Sequence, residues 1–178
     1  HSFETELEFG LPWRTQLDLE LNYQATGGRM TYDSTLVEVP HALADWGVIP
    51  LNHTVDAGWR FNAEDADAYF FRLLLADDFG KSVHFGATLS FQNQVGGDRE
   101  KSYELNTALS WAMIDRRLSV GAELLVGYEV DGRADDEGER EHSTTVMLGP
   151  TLLFKPTRNT HIGLTPLLGL IHESPRME

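Results

Sequence analysis

Hydrophobic and polar residues alternate with period two along nearly the whole chain. In residues 13–23, Trp13, Thr15, Leu17, Leu19, Leu21 and Tyr23 fall on one side, and Arg14, Gln16, Asp18, Glu20 and Asn22 on the other. Successive side chains of a strand point to opposite faces, so this segment reads as a strand with one oily and one strongly polar face. The split recurs at residues 3–9, with Glu4, Glu6 and Glu8 polar, and at 55–61, with Asp56 and Arg60 polar. It recurs again at 83–91 (His84, Thr88, Ser90), 103–113 (Glu104, Asn106) and 118–128 (Ser119, Glu123). Weaker versions lie at 36–39, 69–75 (with Arg72), 146–154 and 162–170. The segments number about ten, and none carries a helical period. The chain is predicted to be all-β and antiparallel, a single domain over residues 1–178.

Alternation alone fits either a soluble sandwich or barrel, with its oily face inward, or a membrane barrel, with its oily face toward lipid. Two features favour the second. The best segments run about 10–12 residues, close to the 9–11 that a tilted strand needs to cross a bilayer and longer than an average soluble strand. Aromatics also sit at the ends of the oily faces: Trp13 and Tyr23, Trp59 with Phe61, Tyr103 and Trp111, and Tyr128. Such rings suit a membrane interface, where one edge is apolar and the other wet. The expectation is an up-and-down transmembrane β-barrel.

Connection lengths add an orientation. Short turns are expected at residues 10–13, 77–81, 114–117 and 156–160, alternating with longer polar connections at 24–33, 62–67, 92–102 and 131–143. Bacterial outer-membrane barrels have short periplasmic turns and long external loops. The connection at 42–52 is the exception, long for a periplasmic turn. On this reading the first and last visible strands end on the wrong side for a closed barrel. About twelve strands are therefore expected in the intact protein, with strands lacking at one or both ends. Pro150 and Pro166 lie equally far from Arg158, so a regular hairpin would set them opposite one another. Neither can donate to a ladder, and a bulge or loosened pairing is expected there.

Composition narrows the function classes. The 178 residues carry a formal charge of −14 and no cysteine. No basic stripe offsets that charge, so nucleic acid is excluded as a partner. No stretch is long and apolar enough for a transmembrane helix; the run at 68–76 is broken by Arg72. The seven histidines are scattered, with His84 and His161 expected in the lumen and His41 and His53 beside the odd connection. No zinc-type spacing occurs, and no metal or other cofactor is expected. The acidic segment at 131–142 lacks the spacing of a calcium loop and reads as a solvated charged loop. No nucleophile elbow surrounds a serine, and Ser90, Ser110 and Ser119 have no base partner evident in the sequence, so an enzyme is not expected.

The segments Glu6-Leu-Glu-Phe-Gly-Leu-Pro-Trp-Arg-Thr-Gln-Leu-Asp-Leu19, Ala42-Leu-Ala-Asp-Trp-Gly-Val-Ile-Pro50, Ile114-Asp-Arg-Arg-Leu-Ser-Val-Gly-Ala-Glu123 and Ser174-Pro-Arg176 resemble a porin-like, transporter-like group of Gram-negative outer-membrane barrels, similar to the phenol-degradation-pathway barrel group. The resemblance implies fold and an integral outer-membrane location, and supplies no catalytic residues. Such barrels usually close on a final aromatic; this chain reads Met177-Glu178, a departure. The candidate lumen-lining residues are Glu4, Glu6, Glu8, Arg14, Asp18, Glu20, Asp56, Arg60, Arg72, His84, Glu104 and Glu123. The expected function is a passive pore or a scaffold in an envelope assembly, with outer-membrane lipids and other envelope proteins as partners. Two other classes stay open: a membrane-embedded enzyme acting on lipid, which requires a Ser/His/acid cluster at one rim, and a soluble lipocalin-like binding barrel, which requires inward oily faces.

Overall fold

A computed structural model describes residues 2–97, 99–114, 117–134, 140–157, 160–171 and 174. Among these there is no helix, and the strands form a single antiparallel sheet. They are β1 (Ser2–Leu11), β2 (Thr15–Thr26), β3 (Arg29–Glu38), β4 (His41–Ala42), β5 (Thr54–Asn62), β6 (Ala68–Phe79), β7 (Val83–Gln94), β8 (Lys101–Ile114), β9 (Leu118–Ala134), β10 (Arg140–Thr157), β11 (Thr160–Leu164) and β12 (Leu168–Gly169). Each long strand pairs with its neighbour in sequence, in the order β1-β2-β3-β5-β6-β7-β8-β9-β10-β11. Among the described residues β1 and β11 do not pair with each other, so the wall has two edges.

The two shortest strands are continuations of longer ones. Glu38 of β3 pairs with Gly58, and His41 of β4 pairs with Val55, with no residue gained or lost between them. Pro40, which lacks an N–H, sits in that gap. In the same way Leu164 of β11 pairs with Leu152 and Leu168 of β12 with Leu148. That register sets Pro166 opposite Pro150, where the ladder opens, as the spacing of the two prolines predicted. Beside the gap the backbone of Pro166 and Leu167 comes so close to Gly149 that a Cβ there would clash with it. Arg158, at the middle of that hairpin, lies outside the described residues.

The sheet curls toward its polar face. Glu38, Arg60, Arg72, Ser90 and Glu104, from β3, β5, β6, β7 and β8, line one cavity of about 330 Å³. Five successive strands can share a cavity on one face only if the sheet is concave there. The apolar face is convex and bare. Phe3, Leu7, Phe9, Phe71, Leu89, Leu105, Leu109 and Trp111 are all exposed on it, whereas the buried apolar residues among those described are Leu36, Ala68, Phe70 and Met147. The large apolar side chains of this sheet lie on its outer face.

The connections differ from expectation at the long-loop end. The strands run on through much of what read as loop. At 24–33 the hairpin closes on Gly27 and Gly28, with φ of 61° and 79°. Positive φ at both central residues matches the twist of a two-residue hairpin, and glycine adopts it without strain. β9 and β10 likewise extend to Ala134 and from Arg140, and residues 135–139 of the acidic segment lie outside the described residues.

At the opposite end, the turn after β1 differs as well. Trp13 and Arg14 sit in it with φ of 61° and 60°, and β2 starts only at Thr15. The long connection after β4 is confirmed, and it is tied down. Ala76 N–H donates to the Leu51 carbonyl at 2.9 Å, Leu51 N–H to Asp77 Oδ2 at 2.8 Å, and Asn52 Nδ2 to the Ala76 carbonyl at 2.8 Å.

Candidate functional site: the polar concave face

The alternation of each strand and the register of each pair together decide which charges meet. Even-numbered residues of β5, β6, β7 and β8 face the cavity, and cross-strand rows follow from the pairing. One row runs Asp56, Arg72, Ser90, Glu104 across four strands. The row beside it runs Glu8, Asp18, Glu38, Gly58, Phe70, Gln92, Ser102.

Arg72 is the hub. Its Nε donates to Asp56 Oδ2 at 2.8 Å, and its guanidinium also pairs with Glu38 across Gly58. The guanidinium carbon stands 4.6 Å from the centre of the Phe70 ring, a cation–π contact. Asp56 is 5% exposed, so its charge is tolerated only because this cation is beside it. The tip of the Phe70 ring packs against Gly58, where no side chain fits. The ring, the guanidinium and two carboxylates make one packed unit at the middle of the wall.

Arg60 is different. It lines the same cavity, and also a second one of about 460 Å³ toward the long-loop end, shared with Asp33, Glu64, Asp65 and Gln94. Its Nε is buried without a hydrogen-bond partner. The side chain thus borders both spaces, while its Nε is shut off from water.

The remaining candidates fall into three groups. Glu4, Glu6 and Glu8 lie along the edge strand β1, opposite Asn22, Glu20 and Asp18 of β2. Asp18 accepts from Gln16 Nε2 at 2.7 Å, and Glu20 from Asn22 Nδ2 at 2.6 Å, and neither has an ion-pair partner among the described residues. Glu123 accepts from Thr165 Oγ1 at 3.2 Å, which in turn bonds Thr151 Oγ1 at 2.7 Å beside the proline gap. His84 lies near the short-turn end, with Nδ1 2.5 Å from Asp78 Oδ1.

Arg14 does not belong to this wall. It sits in the β1–β2 turn and pairs with Asp45 at 3.4 Å, because the positive φ of Trp13 and Arg14 ends the alternation two residues before β2 begins. Glu38, Phe70 and Asp78 were missed among the candidates. The parity of Glu38, between Val37 and Val39, was the available signal. The side chain of His161 lies outside the described part of the structure, as do residues 175 and 176.

The convex face carries an aromatic belt near its long-loop end. Ring centroids stand 6.2 Å apart for Trp59–Tyr69, 6.2 Å for Tyr69–Phe91, 5.1 Å for Phe91–Tyr103 and 6.4 Å for Tyr103–Tyr128. Tyr23 and Tyr32 extend it at 6.0 Å on β2 and β3. Phe79, Val83 and Trp111 form a parallel row near the short-turn end. Tyr103 and Trp111 are eight residues apart on one strand, about 27 Å along it at ~3.4 Å per residue.

No model of a known protein family matches the chain. A search of curated proteins finds no match either.

Proposed function

We propose that this chain forms the wall of a porin-like outer-membrane β-barrel whose polar concave face lines an aqueous path for small solutes. The observation that carries the reading is the direction of the two faces. Bare apolar side chains cover the convex side, an aromatic row and the shorter Phe79–Val83–Trp111 row bound them, and charged residues crowd the concave side. The spacing of the rows, reduced by a strand tilt of ~40°, comes to about 20 Å, near the ~25 Å apolar band of outer-membrane barrels. A soluble binding barrel needs the opposite arrangement, with oily side chains around its ligand. The concave wall is polar across five strands and bears unbalanced acid on β1 and β2, which favours a solvated lumen over a plugged, apolar one. The partners on this reading are outer-membrane lipids on the convex side and, at the edges, further envelope polypeptide.

The test has two stages. The chain is first extracted and tested for solubility without detergent; a monodisperse detergent-free protein sinks the membrane reading. It is then reconstituted in planar bilayers. Discrete conductance steps support a pore. Stable insertion without conductance overturns the pore and leaves a structural barrel.

A further inference from the structure

The short-turn end of the concave face holds a second constellation that a passive pore does not use. Asp78 of β6 pairs in register with His84 of β7, and His84 with Ser110 of β8. The three side chains therefore stand in a row on one face of adjacent strands, with neighbouring Cβ atoms about 5 Å apart. His84 Nδ1 lies 2.5 Å from Asp78 Oδ1. A carboxylate against Nδ1 keeps the proton on that nitrogen and leaves Nε2 as the ring's acceptor. Ser110 stands on the other flank of His84, across the β7–β8 pairing; the two side chains are not hydrogen-bonded in this structure, and the Nε2–Oγ contact forms as substrate binds. The next residue in the row is Gly121, where a Cβ would come within 2.9 Å of the Ser110 Cβ. The glycine lets β9 approach β8 closely at the serine, and no β9 side chain stands in the row beside it. The pair is open to water, with side-chain exposures of 40% for His84 and 48% for Asp78.

We propose that Ser110, His84 and Asp78 form an acyl-transfer site that hydrolyses small carboxylic esters entering from the aqueous mouth of the barrel. Ser110 Oγ bonds to the acyl carbon as its proton passes to His84 Nε2. The acyl C–O bond then breaks, and the alcohol leaves with that proton. Water, deprotonated through the same nitrogen, attacks acyl-Ser110; the carboxylic acid departs and the proton returns to Ser110. Asp78 acts as a positioning residue: it orients the imidazole and offsets its positive charge. The alternation of β8 marks Ser110 only as one polar-face serine among several; the register singles it out.

The test uses the full chain folded in detergent micelles, with a fluorophosphonate reporter as the nucleophile probe and p-nitrophenyl acetate as the ester. Peptide mapping is expected to find the label on Ser110, and ester turnover is expected to be lost in Ser110→Ala and kept in Ser119→Ala. His84→Gln is expected to slow both readouts by about 100-fold or more. Asp78→Asn should lower kcat while leaving KM unchanged, which a merely structural tie between β6 and β7 does not do. Absence of label on Ser110, or equal labelling in His84→Gln, overturns the proposal. Should His84→Gln fail to fold, Asp78→Asn decides: an unchanged labelling rate at Ser110 overturns it.

Discussion

Gly58 lies directly against the tip of the Phe70 ring: a Cβ there would stand 2.6 Å from Cε1 of that ring and 2.5 Å from the carbonyl oxygen of Val37. The glycine is needed for closeness, not for backbone freedom. It lets β3 and β6 bring Glu38 and Arg72 together across the intervening β5. Gly58→Ala is therefore expected to push Phe70 off its seat and loosen the Glu38–Arg72 pair, at a cost of about 1–3 kcal/mol. Guanidinium unfolding in detergent, followed by far-ultraviolet circular dichroism, checks this. An unchanged midpoint contradicts it.

Arg72 is the counter-charge for a carboxylate that water hardly reaches. Replacing it by glutamine strands the Asp56 charge and part of the Glu38 charge. Breaking a buried pair from one side costs several kcal/mol; Arg72 is partly exposed, so about 2–3 kcal/mol is expected here. Arg72→Gln with Asp56→Asn should recover part of that loss, because the more deeply buried of the two stranded charges is then gone and only Glu38 is left without its cation. The double-mutant cycle measures the coupling. Additive effects would place the two residues outside one unit.

Period two was enough to assign faces: Asp56, Arg60, Arg72 and Glu104 were legible as one-face residues from their parity. Parity does not say which charge lies beside which. That depends on register, which turns and bulges set, and the structure supplies it. The Arg72–Glu38 contact crosses a strand, and β3 is joined to β5 through the long connection at 43–53, whose tie to Ala76 and Asp77 had no pattern to betray it. Arg14 shows the opposite failure. Its parity was right for a strand, but the Pro12-Trp13-Arg14 turn holds it at positive φ, outside any strand. The proline gap was legible because it needs only a count along one hairpin. Asp78 and His84, six residues apart, could be paired only once the short turn between β6 and β7 was known.

The lipid-facing reading makes a demand that surface exposure alone does not. Leu109 is 53% exposed on β8, between Tyr103 and Trp111. On a soluble protein, Leu109→Arg would change stability by no more than about 0.5 kcal/mol. Leu109 lies between the midplane, where the same change costs about 2–4 kcal/mol, and the Trp111 row, where it costs about 0–1, so a cost of about 1–2 kcal/mol is expected in a bilayer. Reversible unfolding from phospholipid vesicles distinguishes the two, with Glu104→Gln on the other face of the same strand as a control for general perturbation. A near-zero effect of Leu109→Arg removes the central argument for a membrane barrel.

The acids of β1 and β2 outnumber the cations that face them, and this has a measurable sign. Glu4, Glu6, Glu8, Asp18 and Glu20 share one face of two paired strands, and Arg60 and Arg72 lie further round the wall. A lumen with fixed negative charge concentrates cations, so a conducting barrel is expected to prefer potassium over chloride. The charges act through water, so the preference should depend on ionic strength. With a Debye length of about 30 Å at 0.01 M the field fills the lumen, whereas at 1 M it reaches only about 3 Å from the wall. Reversal potentials across a tenfold salt gradient should thus indicate cation selectivity near 0.01 M and little near 1 M. Replacing Glu6, Glu8 and Glu20 together by glutamine should weaken it. Arg60→Glu should strengthen it, since that residue lines both cavities and the change replaces a positive charge by a negative one. Anion preference at low salt, or selectivity unchanged by the triple substitution, would show that these carboxylates do not line the conducting path.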